Sequence, residues 1–267
     1  MSETRIVSFT TDFGLSDPFV GIMHGVVLNL HPETAIVDIS HAVASYDVLD
    51  GAWTIAQAYS FFPPRTVHVV VVDPGVGSAR RPILAETDNY VFVAPDNGLL
   101  SLVEAKEAKF TVRHITAERY FRQPVSQTFH GRDIFAPIAG WLSNGVSPSE
   151  FGPEVSDYVR LPLPAVERIG DNSLRGMVIK VDKFGNLITN ISAQEAPALF
   201  GTSPSGVSIL ISETIVRLRH SYAEGEEGEV FAIAGSSGYL EIAARQASAA
   251  EKLAAGVGTP VGVVFNI

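Results

Sequence analysis

Residues Thr66–Val72 read Thr-Val-His-Val-Val-Val-Val. A run this continuous in β-branched residues is a strand, and one without polar alternation is covered on both faces. Helices on the two sides of a parallel sheet meet that demand. The flanking sequence supplies them. Strand patterns at Ile6–Thr10, Ala35–Ile39, Tyr90–Val93 and Phe110–Ile115 alternate with helical spacing at Phe19–Leu30 and Val48–Phe61. Pro32 and the pair Pro63-Pro64 stop those two helices. Asp96 or Asn97 is placed to cap a helix through Glu104, and a further helix is expected over Asp133–Leu142, with Pro137 near its start. No element is predicted between residues 73 and 89.

The pattern changes near residue 165. Leu161-Pro162-Leu163-Pro164 reads as a linker, because each proline holds its predecessor extended. Seven short strands follow: Arg175–Val181, Leu187–Ile191, Gly206–Ile211, Thr214–Leu218, Glu229–Ala234, Tyr239–Ala243 and Pro260–Phe265. Turn residues separate them, with one short helix at Ala247–Ala254. The expectation is therefore two domains. Residues 1–165 form an α/β domain with a mainly parallel sheet, and residues 166–267 an all-β, barrel-like domain.

Composition removes several functions. Hydrophobic residues make up 46% of the 267, enough for large cores. Nineteen Lys and Arg stand against 29 Asp and Glu, a net charge of −10 that repels phosphate backbones, so nucleic acid is not an expected partner. The absence of cysteine excludes disulfides, thiolate metal sites and Cys nucleophiles. The start, MSETRIVSF, has no apolar stretch behind a basic head, and no apolar run approaches the ~18 residues of a membrane span. A cytoplasmic protein with no membrane partner is expected. No Gly-x-Ser-x-Gly elbow is present.

In open parallel sheets, ligands bind beyond the carboxyl ends of the strands. Three segments place unusual residues there. Thr10-Thr11-Asp12-Phe13-Gly14 follows the first strand, with Ser16-Asp17 close behind. Asp73-Pro74-Gly75-Val76-Gly77 follows the valine strand, with Arg80 beyond it. Phe129-His130-Gly131-Arg132-Asp133 precedes a helix. Taken singly, each acid reads equally as a turn former or cap. The Gly75/Gly77 pair lacks the third glycine of a dinucleotide fingerprint and the Gly-Lys-Ser/Thr of a P-loop, so it reads as permitting close approach to a ligand. Together, an acid, an arginine and a histidine can position and polarise a water. Asp12, Asp73, His130 and Asp133 are the available hard metal ligands here, but no HxH, HxxxH or HExxH spacing occurs, and no metal is assigned. In the second domain, Asp182-Lys183-Phe184-Gly185-Asn186 and Gly235-Ser236-Ser237-Gly238 read either as turns or as a ligand site. As a site they offer ring stacking, amide pairing and backbone donors, groups that suit a purine with an amino-acid tail.

TTDFG, DPGVG with Arg80, FHGRD, KFGNLITNI and GSSGYLEIA, in this order from about residue 5 to the C-terminus, resemble the S-adenosylmethionine (SAM) hydroxide adenosyltransferases. That family is related to the bacterial fluorinase and chlorinase. The resemblance implies an α/β domain followed by a β-barrel. It also implies a homotrimer, with SAM between the N-terminal domain of one subunit and the C-terminal domain of its neighbour. The implied reaction is hydrolysis of SAM to adenosine and L-methionine, with SAM as substrate and no cofactor. By the same matching, Asp73, Arg80 and His130 are the catalytic set. Asp12 would hold the ribose hydroxyls and Tyr46 would pack at the ribose. Asp17, Asp182 and Ser236 would hold the methionine end, while Phe184, Asn186 and Tyr222 line the adenine. The halogenases carry arginine where this chain has Ser237, so the substrate carboxylate would rest on hydroxyls and backbone here.

The halogenases also place tyrosine where Asp73 and His130 stand. A carboxylate at the edge of a halide pocket would repel the anion, whereas a water pocket gains a proton acceptor from it. Hydrolysis is accordingly the expected reaction. Halide transfer, a non-catalytic SAM or adenosine sensor, and a metal hydrolase are the alternatives.

Overall fold

The computed structural model describes residues 5–201 and 206–265; residues 1–4, where the reading for a leader begins, lie outside the described residues. The chain divides into two compact units, one extending to Leu161 and one starting at Pro162.

The first unit contains β1 (Ile6–Thr11), α1 (Phe19–Leu30), β2 (Ala35–Ser40), α2 (Val48–Ala58), β3 (Val67–Val71), β4 (Pro82–Glu86), β5 (Val91–Pro95), α3 (Ser101–Glu104), β6 (Thr111–His114), α4 (Ala136–Ser143) and β7 (Glu154–Val155). They build one seven-stranded sheet in the order β2-β1-β3-β5-β4-β6-β7. The pairs β2–β1, β1–β3 and β3–β5 are parallel, and β4, β6 and β7 extend the sheet antiparallel.

The valine strand is buried throughout, as expected. Its side chains alternate. Val67, Val69 and Val71 pack with Met23 and Val27 of α1 and with Ile138, Ala139 and Leu142 of α4. Val70 and Val72 face the other way, against Ala52, Ile55 and Ala56 of α2 and Leu99 and Val103 around α3. The period of two thus splits one strand between two cores. Helix α1 stops where His31-Pro32 predicts, and α2 starts on Asp47, whose carboxylate accepts from the Asp50 N–H at 3.0 Å.

Three local expectations change. Strand β4 was not predicted. It is short and opens on a proline, which a strand tolerates at its first residue. The helix after Asn97 is only the turn Ser101–Glu104, without a side-chain cap. Asp96 instead binds Arg81 and the Val159 N–H, and the Asn97 amide donates to the Val72 carbonyl. The helix expected over Asp133–Leu142 begins with a π turn, Gly131–Phe135, in which the Ala136 N–H reaches back to the Gly131 carbonyl. This leaves Pro137 in the first turn of α4, where its missing N–H costs little.

The second unit contains β8 (Glu167–Arg168), β9 (Ser173–Val181), β10 (Leu187–Ser192), β11 (Val207–Ile211), β12 (Thr214–Val216), β13 (Leu218–Arg219), β14 (Val230–Ala234), β15 (Tyr239–Ala244), α5 (Ala249–Leu253) and β16 (Pro260–Phe265). Their order is β12-β11-β16-β9-β10-β15-β14-β13, with β8 on β9. The two ends of this sheet approach each other, β11 against β13 and β12 against β14, so the sheet curls into a nearly closed barrel. Leu174, Val178, Leu187, Ile191, Ile209, Leu240, Ile242 and Val263 fill its interior.

His68 is the polar exception on β3. It is fully buried among Tyr59, Phe62, Tyr90 and Phe92, with Nδ1 at 2.6 Å from Ser8 Oγ. Burial pushes its pKa down to about 3. The unfolded chain therefore binds a proton on His68 below pH ~6.5 that the folded protein refuses. This contribution to stability is complete above pH 6.5 and is lost as pH falls toward 3. Urea unfolding at pH 4 should show about 3 kcal/mol less stability from this residue alone than at pH 7. The Ser8→Ala/His68→Phe double variant should flatten that pH dependence. An unchanged slope in the double variant would remove His68 as its source.

Candidate active site

The strand order reverses at β1. From β1 the chain moves to β2 on one side and then to β3 on the other. Ligand crevices form beyond the carboxyl ends at such a switch point. Asp12 follows β1 and Asp73 lies just past β3, on neighbouring parallel strands in which Thr11 is level with Val71. Strand β4 runs opposite to β5, so it starts at the edge where β3 ends. The unpredicted strand is what brings Arg80 back to Asp73.

Three contacts join the segments. The ring of Phe13 packs edge-on against Phe129, with centroids 6.0 Å apart, and Phe19 completes the cluster. Gly77 has φ +76°, and a Cβ there would lie 2.3 Å from the Gln127 carbonyl oxygen. Glycine at this position therefore lets two protein loops touch, rather than admitting a ligand as the sequence suggested. Finally, Arg80 Nη2 lies 2.9 Å from His130 Nδ1.

Arg80 organises the cluster. Its Nε donates to both oxygens of Asp73, at 2.9 and 3.0 Å, and Nη2 makes a further short contact with Oδ2. Both side chains are less than a tenth exposed. The guanidinium lies 5.2 Å from the Phe135 ring centroid. Nη1 is buried and has no acceptor among the described residues. Arginine only donates, so His130 Nδ1 must be the acceptor and the ring must be the neutral Nε2–H tautomer. Burial first, then the charge of Arg80, holds the His130 pKa below its ordinary value, which agrees with a neutral ring.

Asp12 Oδ2 accepts from the Tyr46 backbone N–H at 2.9 Å. Tyr46 itself has φ +66° and is 74% exposed. A bulky residue held in the left-handed region beside a carboxylate costs of order 1 kcal/mol or more and is typical of ligand-binding loops. Asp17 lies exposed in the same loop region. Asp133 is not part of this group. It is fully buried, and burial would raise its pKa, but Arg132, the Ser126 N–H and Arg122 bind both oxygens and bring it below the carboxylate range. Its work is to fix the 122–126 loop.

In the second unit a groove of about 810 Å³ is lined by Asp182, Phe184, Asn186, Tyr222, Ser236 and Glu241, among others. Phe184 is 76% exposed at its rim, free to stack on a ring. Asp182 closes its own turn: Oδ1 accepts from the N–H groups of Phe184 and Asn186, and Oδ2 from the Asn186 amide. Ser237 turns its hydroxyl toward Glu241 Oε1 at 3.5 Å. Sequence reasoning missed Glu241. It is buried on β15, and Tyr222 donates to its Oε2 at 3.2 Å. Burial and the nearby Asp182 raise its pKa. The same burial and Glu241 push the Tyr222 hydroxyl up to about 12. Its neighbours Leu240 and Ile242 fill the barrel interior, so Glu241 lies on the opposite face of the strand, where a charged residue reads as solvent-facing and gives no signal.

A family model described as the SAM hydroxide adenosyltransferase N-terminal domain matches residues 7–152, and its C-terminal counterpart matches residues 176–262. The chain belongs to the SAM hydroxide adenosyltransferase family. Relatives in this family include an (R)-S-adenosyl-L-methionine hydrolase from Salinispora tropica, 38% identical over 95% of both chains. Another, from Thermus thermophilus, is 35% identical over 96% of this chain and 98% of its own. A fluorinase from Nocardia brasiliensis is more distant, 27% identical over 97% of each. Among solved structures, a conserved protein from Thermotoga maritima matches with a TM-score of 0.90 and 32% identity, covering 97% of this chain and 99% of its own. The α/β-then-barrel architecture is therefore that of the SAM hydroxide adenosyltransferase family.

Proposed function

We propose that this chain hydrolyses (R)-S-adenosyl-L-methionine to adenosine and L-methionine, as the names of its family relatives indicate. The observation that carries the reading is the Asp73–Arg80–His130 cluster at the switch point of the sheet.

The sulfonium is already a good leaving group, because cleavage neutralises it. The difficulty lies in the nucleophile. A water oxygen attacks C5′ as the C5′–S bond breaks, its electron pair passes to sulfur, and one water proton must go to the protein. His130 is poorly placed to take it, since its only lone pair faces Arg80. The Asp73 carboxylate has acceptor capacity left after binding Arg80, so it is the better base. The positive charge of Arg80, next to Asp73, is suited to stabilising the developing hydroxide. His130 is then a positioning residue that orients Arg80. Asp12 and Tyr46 would hold the ribose. Asp17, Asp182 and Ser236 would hold the methionine end, with Ser237 next to it. Phe184, Asn186 and Tyr222 would face the adenine. Assembly as a homotrimer in the cytoplasm, with no cofactor, belongs to the same proposal.

Incubation with SAM followed by chromatography should yield adenosine and methionine in equal amounts, with chelator present as well as absent, and no 5′-halogenated nucleoside when chloride or fluoride is added. Asp73→Asn should lower turnover about 10²–10⁴-fold, the usual worth of a general base, with little change in substrate affinity. Wild-type adenosine release by Asp73→Asn would overturn the assignment, and a halogenated product would favour the fluorinase reaction.

A further inference from the structure

Three side chains that the proposed reaction does not use converge beside the carboxyl ends of β1 and β2. His24 comes from α1, Asp38 from β2, and His41 from the turn after it. Asp38 Oδ1 lies 2.9 Å from His24 Nε2 and 3.0 Å from His41 Nε2, and the three ligating atoms lie within 4.8 Å of one another. We propose that His24, Asp38 and His41 form a binding site for a divalent transition metal of the zinc class.

The case rests first on His41. Its side chain is 3% exposed, and its Nδ1 lies 2.8 Å from Thr11 Oγ1. Nε2 is buried and makes no properly directed hydrogen bond, although Asp38 is close. A buried ring nitrogen without a partner is costly. In the tautomer that donates Nδ1–H to Thr11, the Nε2 lone pair faces a carboxylate oxygen, and a cation between them turns that repulsion into two bonds. Metal-bound histidines are oriented in this way, with the second nitrogen tied to the protein.

The donor set is the second argument. Two imidazoles and one carboxylate suit zinc and its neighbours, whereas magnesium and calcium prefer oxygen alone. Tetrahedral zinc with bonds of about 2.0–2.1 Å spaces its donors roughly 3.3 Å apart. The two histidine–carboxylate spacings need to open by only a few tenths of an ångström, and the two histidine nitrogens lie within 4.8 Å of each other. His24 is held for this by the Phe9 ring, 4.9 Å away between centroids. Asp38 is 39% exposed, so an ion can enter from solvent and keep a water in the fourth position. The site also reaches the candidate active site. Thr11 precedes Asp12, and the His41 carbonyl accepts from the Gly14 N–H at 2.8 Å. An ion here would fasten the loop that carries Asp12. No sequence spacing announces the site, because His24 and His41 come from different elements.

The test uses the tag-free full chain, stripped with chelator and titrated with Co²⁺ and then Zn²⁺. Visible Co²⁺ ligand-field bands that are bleached by Zn²⁺, together with a Zn²⁺-dependent rise in Tm, are expected. His24→Gln, a change at a half-buried position, should weaken binding by at least the roughly 10–100-fold that loss of an outer-shell partner alone costs. Asp38→Asn should do the same, with circular dichroism confirming that both variants are folded. Absence of Co²⁺ bands in the wild type would overturn the site, leaving His24 and Asp38 as a simple ion pair. Equal binding by wild type and both variants would place the ion elsewhere and overturn it too. These readouts require no SAM turnover, so their failure is distinct from failure of the proposed reaction.

Discussion

Arg80→Met is expected to lose nearly all turnover and to destabilise the protein. The guanidinium does two things at once. It neutralises Asp73, which is almost wholly buried, and it fixes the ring of His130 through Nδ1. Methionine fills a similar volume but leaves a buried carboxylate without its counter-charge. Breaking such a pair costs on the order of 3 kcal/mol. Turnover should fall at least 10²–10³-fold, the usual effect of removing one donor to developing charge. Arg80→Lys separates the two roles. It restores a positive charge but cannot form the fork that spans Asp73 and His130. Stability should therefore recover more than activity does. Urea unfolding and adenosine release, measured on both variants, check this. An Arg80→Met protein as stable and as active as wild type would show that the buried pair serves neither purpose.

Gly77→Ala should disable the site without touching any atom proposed to meet substrate. The added Cβ would sit 2.3 Å from the Gln127 carbonyl oxygen, and residue 77 is at φ +76°, where alanine is strained by about 1 kcal/mol even in open space. Backbone cannot yield as a side-chain tip can, so the loop carrying Gln127 must move. His130 is three residues along that loop. A loss of 2–4 kcal/mol in stability, of the order seen for overpacking combined with backbone strain, is expected. Turnover should drop about 10²-fold, as misplacement by an ångström does. Gly14→Ala, at φ +66° with open space around it, is the control: it carries the strain but not the clash. If Gly77→Ala behaves like Gly14→Ala, the loop contact does not position His130.

Much of the fold was legible because burial periodicity is local. The valine run announced a strand covered on both faces, and β3 divides its side chains between two cores. Helix α1 starts and stops where spacing and Pro32 place it. Most strands of the barrel were legible through their turns, but the strand expected over Thr214–Leu218 is divided into β12 and β13 at opposite ends of the sheet order, and the two-residue β8 is too short to carry a pattern. Strand β4 was not, because five residues opening on proline carry little periodic signal. The capping role given to Asp96 or Asn97 failed for a related reason: a short polar residue serves whichever partner the tertiary fold brings near, here Arg81 and backbone groups of distant segments.

The layers, the barrel and the three polar strand ends are local properties, since each depends on residues adjacent along the chain. Other features arise when distant segments meet: Asp73 and His130 share one arginine, Gly77 serves a loop contact, Glu241 lines a groove, and His24 meets Asp38 and His41. The contact between Arg80 and His130 alone joins residues 50 positions apart. Strand pairing and helix packing set such distances, and no spacing along one chain encodes them.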